Sequence, residues 1–362
     1  MPIFSLPSPY GIGTLGEEAY RFVDFLAKAG QRYWQILPVG PTSYGDSPYQ
    51  SPSAYAGNPY FIDLDLLKED GLLTEEEIKS FFWGGDPFRV DYGTLYENRY
   101  PLLKKAYERG FERDKDQVNA FARENAWLSD YALFMAVKKH FQMKSWQEWP
   151  DEDIRMRKAE AINRYREDLA DEIGFYTYLQ FLFFKQWNLF KAYAHDNGVY
   201  IIGDMPIYVA LDSADVWAEP QWFLLDEKNV PIEVSGVPPD YFNEDGQLWG
   251  NPLYRWDAME RDGFGWWIRR VDGAFRPGVA PKDLILPVIT ISTGGIARTI
   301  QIVRANVIEA MQMPSVKTLR AKGVKEHTIL FRHALKNSMI PTISIIREMT
   351  AEVFVSTFVA EY

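Results

Sequence analysis

Between Glu17 and Ala29 the apolar residues Ala19, Phe22, Val23, Phe25, Leu26 and Ala29 fall at three- and four-residue intervals, and Gly30 follows them. That spacing predicts an amphipathic helix with a glycine stop. Short apolar runs flank it, Ile3–Leu6 before and Tyr33–Val39 after, and both are predicted as strands. Strand, helix, strand is the repeating unit of an α/β sheet or barrel. Residues 64–195 then turn mostly helical, with charged stretches at Thr74–Lys79 and Glu160–Glu172 and a long amphipathic run over Tyr176–Ala194. This exceeds a single crossover and predicts a helical subdomain inserted between strands. Val199–Ile202 gives another buried strand, which runs straight into Gly203-Asp204-Met205-Pro206. In a parallel barrel the C-terminal end of each strand carries the active site, so Asp204 is a candidate active-site residue. A strand-terminating Asp that caps a turn would leave the same local pattern.

Two stretches obey neither period. Gly40–Phe61 reads GPTSYGDSPYQSPSAYAGNPYF, with Pro41, Pro48, Pro52 and Pro59 fixing a loop that still carries four tyrosines and a phenylalanine. Gly236–Tyr254 reads GVPPDYFNEDGQLWGNPLY and is predicted as a second aromatic loop. A ring beside a hydroxyl or carboxylate offers a sugar a flat apolar platform and orienting hydrogen bonds. The candidates for that role are Tyr44, Asp46, Ser47 and Tyr49 in the first loop, and Asp240, Phe242, Gln247 and Trp249 in the second. An aromatic loop packed onto its own core is the plainer alternative. Asn251-Pro252-Leu253 echoes Asn58-Pro59-Tyr60, which adds Asn251 as a candidate, although both triplets also read as turns.

Composition narrows the partners. The 362 residues are 47% apolar and 25% charged, enough for two domains or one large barrel. A formal net charge of -11 disfavours nucleic acid, which needs a basic face. The absence of cysteine fits a reducing cytoplasm, and MPIFSLPSPYGIG has neither the basic nor the apolar region of a signal peptide. Composition also changes near Pro277. Residues 278–362 hold no tryptophan, only four aromatics, and ten Lys and Arg against six Asp and Glu. Two segments of different origin are predicted, 1–277 and 278–362, joined around Arg276–Pro281. Leu284–Ala297 is an uncharged run of fourteen, short of the roughly 20 residues of a membrane span.

Through SLPSPYGIGTLG, YWQILPVGPTSYGDSPYQSPSAYAGNPYF, IIGDMPIYVALDSADVW and GVPPDYFNEDGQLWGNPLYRWDAM, residues 3–276 closely resemble the amylomaltases, the 4-α-glucanotransferases of glycoside hydrolase family 77. The resemblance implies an α/β fold: the N-terminal part of a (β/α)8 TIM barrel, incomplete here, with a large helical insertion over 64–195. It implies retaining transfer of α-1,4-glucan segments between maltooligosaccharides, with no cofactor and no metal. By resemblance, Ser47, Tyr49 and Asp204 line donor subsites. Asp240, Phe242, Gln247 and Trp249 form the loop over the cleft, and Tyr44 and Tyr92 belong to a second glucan patch outside it. Asp46 and Asn251 complete the candidate glucan contacts.

In that family the nucleophile is the Asp of an Arg-Ile-Asp-His strand that follows the tryptophan-rich helix, here Gly265–Arg270. None of the three family carboxylates is expected in this chain, and about three of the eight strands are. Arg270-Val271-Asp272-Gly273 mimics the motif but lies in helix register and lacks the His. His140 and His195 are expected on helices, as surface or satisfied core residues.

Residues 280–362 resemble a dipeptide or oligopeptide ABC transporter permease subunit through LPVITISTGGIARTIQIVRANVIEAM, TLRAKGVKEHTILFRHALKN and SMIPTISII. This implies a partial α-helical permease-like segment in which Glu309–Gly323 would contact an ATPase subunit. A cytoplasmic location is expected, with residues 284–362 able to associate with a membrane.

Overall fold

The computed structural model describes residues 1–274 except 44, 87, 238 and 240–244, and beyond them residues 311 and 314–329. The chain divides into two compact units, Met1–Ala274 and Phe275–Tyr362. In the first, helix α1 (Glu17–Lys28) forms where the apolar spacing predicts it. Glu17 and Glu18 in its first turn and Lys28 in its last complement the helix dipole. Gly30, at φ 72°, adopts the left-handed conformation that ends it. Strand β1 (Tyr33–Gln35) comes next.

The predicted insertion is a helical body. It comprises α2 (Leu64–Glu69), α3 (Glu75–Lys79), α4 (Tyr92–Gly110), α5 (Lys115–Glu124), α6 (Trp127–His140), α7 (Glu152–Arg155), α8 (Ala159–Asp168) and α9 (Ala170–Asp196). The charged stretch Thr74–Lys79 becomes α3 behind a capping box in which Thr74 and Glu77 satisfy each other's backbone N–H groups. The axis is α9, which packs against α1, α4, α5, α6 and α8. It is therefore buried on nearly every side from Phe175 to Phe183 and one-sided only after Phe184. Amphipathic spacing thus understates how deeply its first half lies. His140 and His195 are exposed near the C-terminal ends of α6 and α9.

Strand β2 (Tyr200–Ile202) leaves α9 and pairs in parallel with β1, Tyr33 opposite Tyr200 and Gln35 opposite Ile202. Trp34 is buried between them and packs on Phe22 of α1 and Phe190 of α9, at ring separations of 4.8 and 5.8 Å. Helix α10 (Ala214–Ala218), strands β3 (Val234–Val237) and β4 (Gln247–Pro252), and helices α11 (Trp256–Arg261) and α12 (Gly265–Ala274) complete the unit.

Two strand expectations and one loop expectation are corrected. Ile3–Leu6 is not a strand: Ile3–Ser5 forms a 3₁₀ turn, because the flanking Pro2 and Pro7 remove ladder donors. Tyr33–Val39 pairs only over Tyr33–Gln35; Pro38 stops it, and the Val39 carbonyl accepts instead from Asn58 N at 2.8 Å. Gly236–Tyr254 is not wholly a loop, since β3 and β4 form an antiparallel hairpin with Gly236 opposite Leu248. Among the described residues the parallel sheet has two strands, so the unit is mostly helical with few strands.

In the second unit, Pro314–Ala321 is helical and Arg320 pairs with Glu326 at 2.5 Å. Leu284–Ala297 and most of Glu309–Met313 lie outside the described residues. Among the described residues no helix is long and apolar enough to cross a membrane.

Candidate functional site

Residues 54–63 of the first aromatic segment are anchored by side chains from elsewhere in the first unit. Gln180 brackets Gly57, its Oε1 accepting from Gly57 N at 2.7 Å and its Nε2 donating to Gly57 O at 2.9 Å. Further along α9, Gln186 does the same to Asp63, at 2.7 and 3.2 Å. Gly57 is required there, because a Cβ would sit 1.9 Å from Phe183 Cδ1. From α10, Asp215 accepts from Ala54 N at 2.8 Å. From α4, the fully buried Arg99 donates to the carbonyls of Tyr60 and Ile62. These anchors satisfy backbone groups that a loop inside the fold would otherwise leave unpaired.

On this base Tyr49 reaches Asp204, its hydroxyl donating to Asp204 Oδ2 at 2.6 Å across 155 residues of sequence. Asp204 lies just past β2, as its sequence context predicts. Partial burial, then the bond to Asp204, raises Tyr49 to about 12, so its hydroxyl remains a donor near neutrality. Ser47 Oγ accepts from Tyr49 N at 3.3 Å and sets the local turn. Asp46, exposed at φ 54°, bends the chain away. Tyr92 opens α4 with its ring 6.1 Å from that of Tyr60. Its hydroxyl is raised by burial and then by the charge of Asp46.

The hairpin touches the first loop where Gln50 Nε2 donates to Asn251 Oδ1. Gln247 and Trp249 are exposed on β4, Trp249 by 44%, and the Trp249 ring meets Tyr208 edge-on at 6.4 Å. Asn251 is buried, and its amide joins three segments. Its Oδ1 accepts from Gln50 Nε2 at 3.3 Å and from Ser235 Oγ at 3.4 Å, and its Nδ2 donates to Val209 O at 2.9 Å. Those bonds tie β4 to β3, to the first loop and to the segment after Asp204. Tyr44, Asp240 and Phe242 lie outside the described residues.

Sequence reasoning passed over Gln50, Tyr208, Asp215, Tyr254 and Arg270. Tyr208 and Tyr254 sit inside motifs read for their neighbours, and ring-plus-polar reasoning would have selected Tyr208. Asp215 and Arg270 also lie in stretches singled out above, but a charge in a helix pattern reads as a solvated face, so neither is marked as buried. Arg270-Val271-Asp272-Gly273 falls within α12, in the helix register expected of it.

The site thus offers two exposed rings, Tyr49 and Trp249, and a hydroxyl–carboxylate pair, Tyr49 with Asp204, groups of the kind that hold a neutral polyhydroxyl ligand. Among the described residues there is no group of three His, Cys, Asp or Glu side chains that could hold a metal ion.

The model of the family described as 4-alpha-glucanotransferase matches residues 1–277, and that of the binding-protein-dependent transport system inner membrane component matches residues 273–362. The chain is 52% identical over 278 residues to the 4-alpha-glucanotransferase of Streptococcus pneumoniae, covering 76% of this chain and 55% of that protein. The Thermus thermophilus 4-alpha-glucanotransferase is 54% identical over 276 residues, covering 75% and 54%. Among solved structures, amylomaltase from Streptococcus agalactiae in complex with acarbose matches with a TM-score of 0.74 and 48% identity, over 75% of this chain and 55% of that one. Amylomaltase from Corynebacterium glutamicum, 21% identical with a TM-score of 0.56, shares the fold. The chain spans about half the length of the curated relatives it matches.

Proposed function

Because the chain belongs, through residues 1–277, to the 4-alpha-glucanotransferase family, we propose that the cleft between segment 40–63 and the β3–β4 hairpin binds α-1,4-glucans and maltooligosaccharides. The observation that carries this reading is the 2.6 Å bond from Tyr49 to Asp204, which joins the first aromatic loop to the strand end. Support comes from the exposed Trp249 on the facing hairpin and from the acarbose complex of the Streptococcus agalactiae relative. In this proposal Ser47, Tyr49 and Asp204 contact donor sugars, and Asp240, Phe242, Gln247 and Trp249 cover them. Tyr44 and Tyr92 hold glucan at a second patch, Asp46 and Asn251 are further glucan contacts, and the barrel is a partial (β/α)8 one.

The family reaction is transfer of a glucan segment by retaining double displacement, which needs a carboxylate nucleophile and a carboxyl acid/base about 5 Å apart. After the tryptophan-rich helix α12, residues 278–362 continue into permease-like sequence without those carboxylates. On this reading the chain by itself binds glucan and is expected to turn over little or none of it. Incubation with maltotriose is expected to release little or no glucose, and robust release would overturn this part of the proposal. Native electrophoresis through amylose is expected to retard the chain, with retardation lost in Trp249→Ala and reduced in Tyr44→Ala. Migration unaffected by amylose would reject the binding reading.

For residues 278–362 the match to an inner membrane transport component favours a second reading. In it, Glu309–Gly323 docks on an ABC ATPase subunit. Recovery of the expressed chain wholly in the soluble fraction would count against a membrane role.

A further inference from the structure

Tyr254, just past β4, and Arg270, on α12, are each 2% exposed and meet behind the cleft. The Tyr254 hydroxyl donates to Ile207 O at 2.8 Å and accepts from Arg270 Nη1 at 3.1 Å. Arg270 Nη2 donates to the neighbouring carbonyl, that of Pro206. One arginine–tyrosine pair therefore grips two successive carbonyls of the segment that leaves Asp204. Burial raises the Tyr254 hydroxyl to about 12 even with Arg270 beside it, so it stays a donor to Ile207 O near neutrality. The guanidinium is walled in by Trp266 and Trp267, 5.3 and 5.1 Å from their ring centres.

From this buried knot a chain of rings leads outward. Tyr254 stacks on Tyr208 at 6.2 Å and 11°, and Tyr208 meets the exposed Trp249 edge-on at 6.4 Å. The same pair thus sets both the backbone after Asp204 and the rings beneath Trp249. A rigid supporting shell is what keeps contact groups within the small tolerance that recognition allows.

We propose that Arg270 and Tyr254 are positioning residues of the glucan cleft, locking segment 204–208 against the hairpin so that Asp204, Tyr208 and Trp249 face one ligand. This inference rests on the glucan-binding reading above. A purely packing role would stabilise the core without setting affinity, and the two are separable.

The full chain is compared with Tyr254→Phe, Arg270→Lys, Arg270→Met and a control, Tyr178→Phe. The control removes a buried hydroxyl that donates to Asp114 at 2.7 Å within the helical insertion. Amylose retardation, thermal midpoint and deuterium exchange of peptides covering 204–212 and 247–254 are measured for each. Tyr254→Phe keeps the ring stack and is expected to weaken amylose affinity about fivefold, the scale of one or two buried hydrogen bonds, while both peptides exchange faster. Arg270→Lys is expected to retain more affinity than Arg270→Met. Tyr178→Phe is expected to lower the midpoint and leave retardation and both peptides unchanged. Wild-type retardation by Tyr254→Phe, or equal loss in Tyr178→Phe, overturns the inference alone. No retardation of the wild-type chain overturns the glucan reading and the inference with it. If the Arg270 variants do not fold, Tyr254→Phe decides.

Discussion

Asp215 is a carboxyl enclosed by the fold. It is 7% exposed, accepts from Ala54 N at 2.8 Å, and is raised by burial to about 6, with Arg270 opposing the shift. A carboxyl whose folded value lies above its unfolded value adds stability that is complete below about pH 4 and is lost as pH rises through about 6. Between pH 7 and pH 5 this amounts to roughly 1 kcal/mol in favour of the fold. Asp215→Asn keeps an oxygen for Ala54 N and removes the titration. Its urea midpoint is expected to match or exceed wild type at pH 7, with the difference shrinking toward pH 5. An identical pH slope in both proteins would show that Asp215 does not titrate in this window. No sequence pattern announces such a group: burial is set by Pro52, Ala54 and α10 meeting in space. Tyr49 and Asp204 were each legible, one as a loop aromatic beside polar residues and the other as a strand-end acid. Their bond was not, since neither periodicity nor spacing carries information across 155 residues.

At the level of elements, α9 does two jobs, and its composition records only one. Its apolar residues predict a core helix, whereas Gln180 and Gln186 look unremarkable in sequence and turn out to hold the aromatic loop at Gly57 and Asp63. Gln180→Leu fills the space but strips both partners from Gly57, leaving a buried N–H and C=O unpaired, and is expected to cost roughly 2–4 kcal/mol. Gly57→Ala forces a methyl group into Phe183 and is expected to cost about 1–3 kcal/mol through overpacking. Urea unfolding at neutral pH reads both, and a loss well short of these ranges in either variant would mean that the loop is not anchored there. Helices were the legible elements, because a 3.6-residue repeat persists over many residues, and α1 and the insertion lie where their spacing predicts. Strands fared worse for reasons visible in the chain. Prolines cut the first two short, and the hairpin hides behind glycines and prolines, so that Gln247–Pro252 reads as loop until its pairing with Val234–Val237 is seen.

For the whole molecule, the question is whether residues 1–274 fold as a unit in the absence of the C-terminal segment. The connected apolar core runs from Ile3 to Trp266 and draws on α1, β1, the helical body, α10, α11 and α12. The change in aromatic and charge content near Pro277 coincides with the boundary between the two compact units and with the place where the two family matches meet. A chain ending at residue 277 is therefore expected to melt within about 4 °C of the full chain, the shift that roughly 1 kcal/mol produces in a domain of this order, and to be retarded by amylose to the same degree. Circular dichroism melting and amylose electrophoresis check the two arms. A truncated chain that is unfolded, or that melts far lower, would assign residues 278–362 a part in the fold of the glucan unit. A stable truncated chain that no longer binds amylose would assign them a part in the cleft. If both properties survive truncation, the loops, the strand end and the Arg270–Tyr254 knot suffice for recognition, and the change of composition near Pro277 marks where that recognition unit stops.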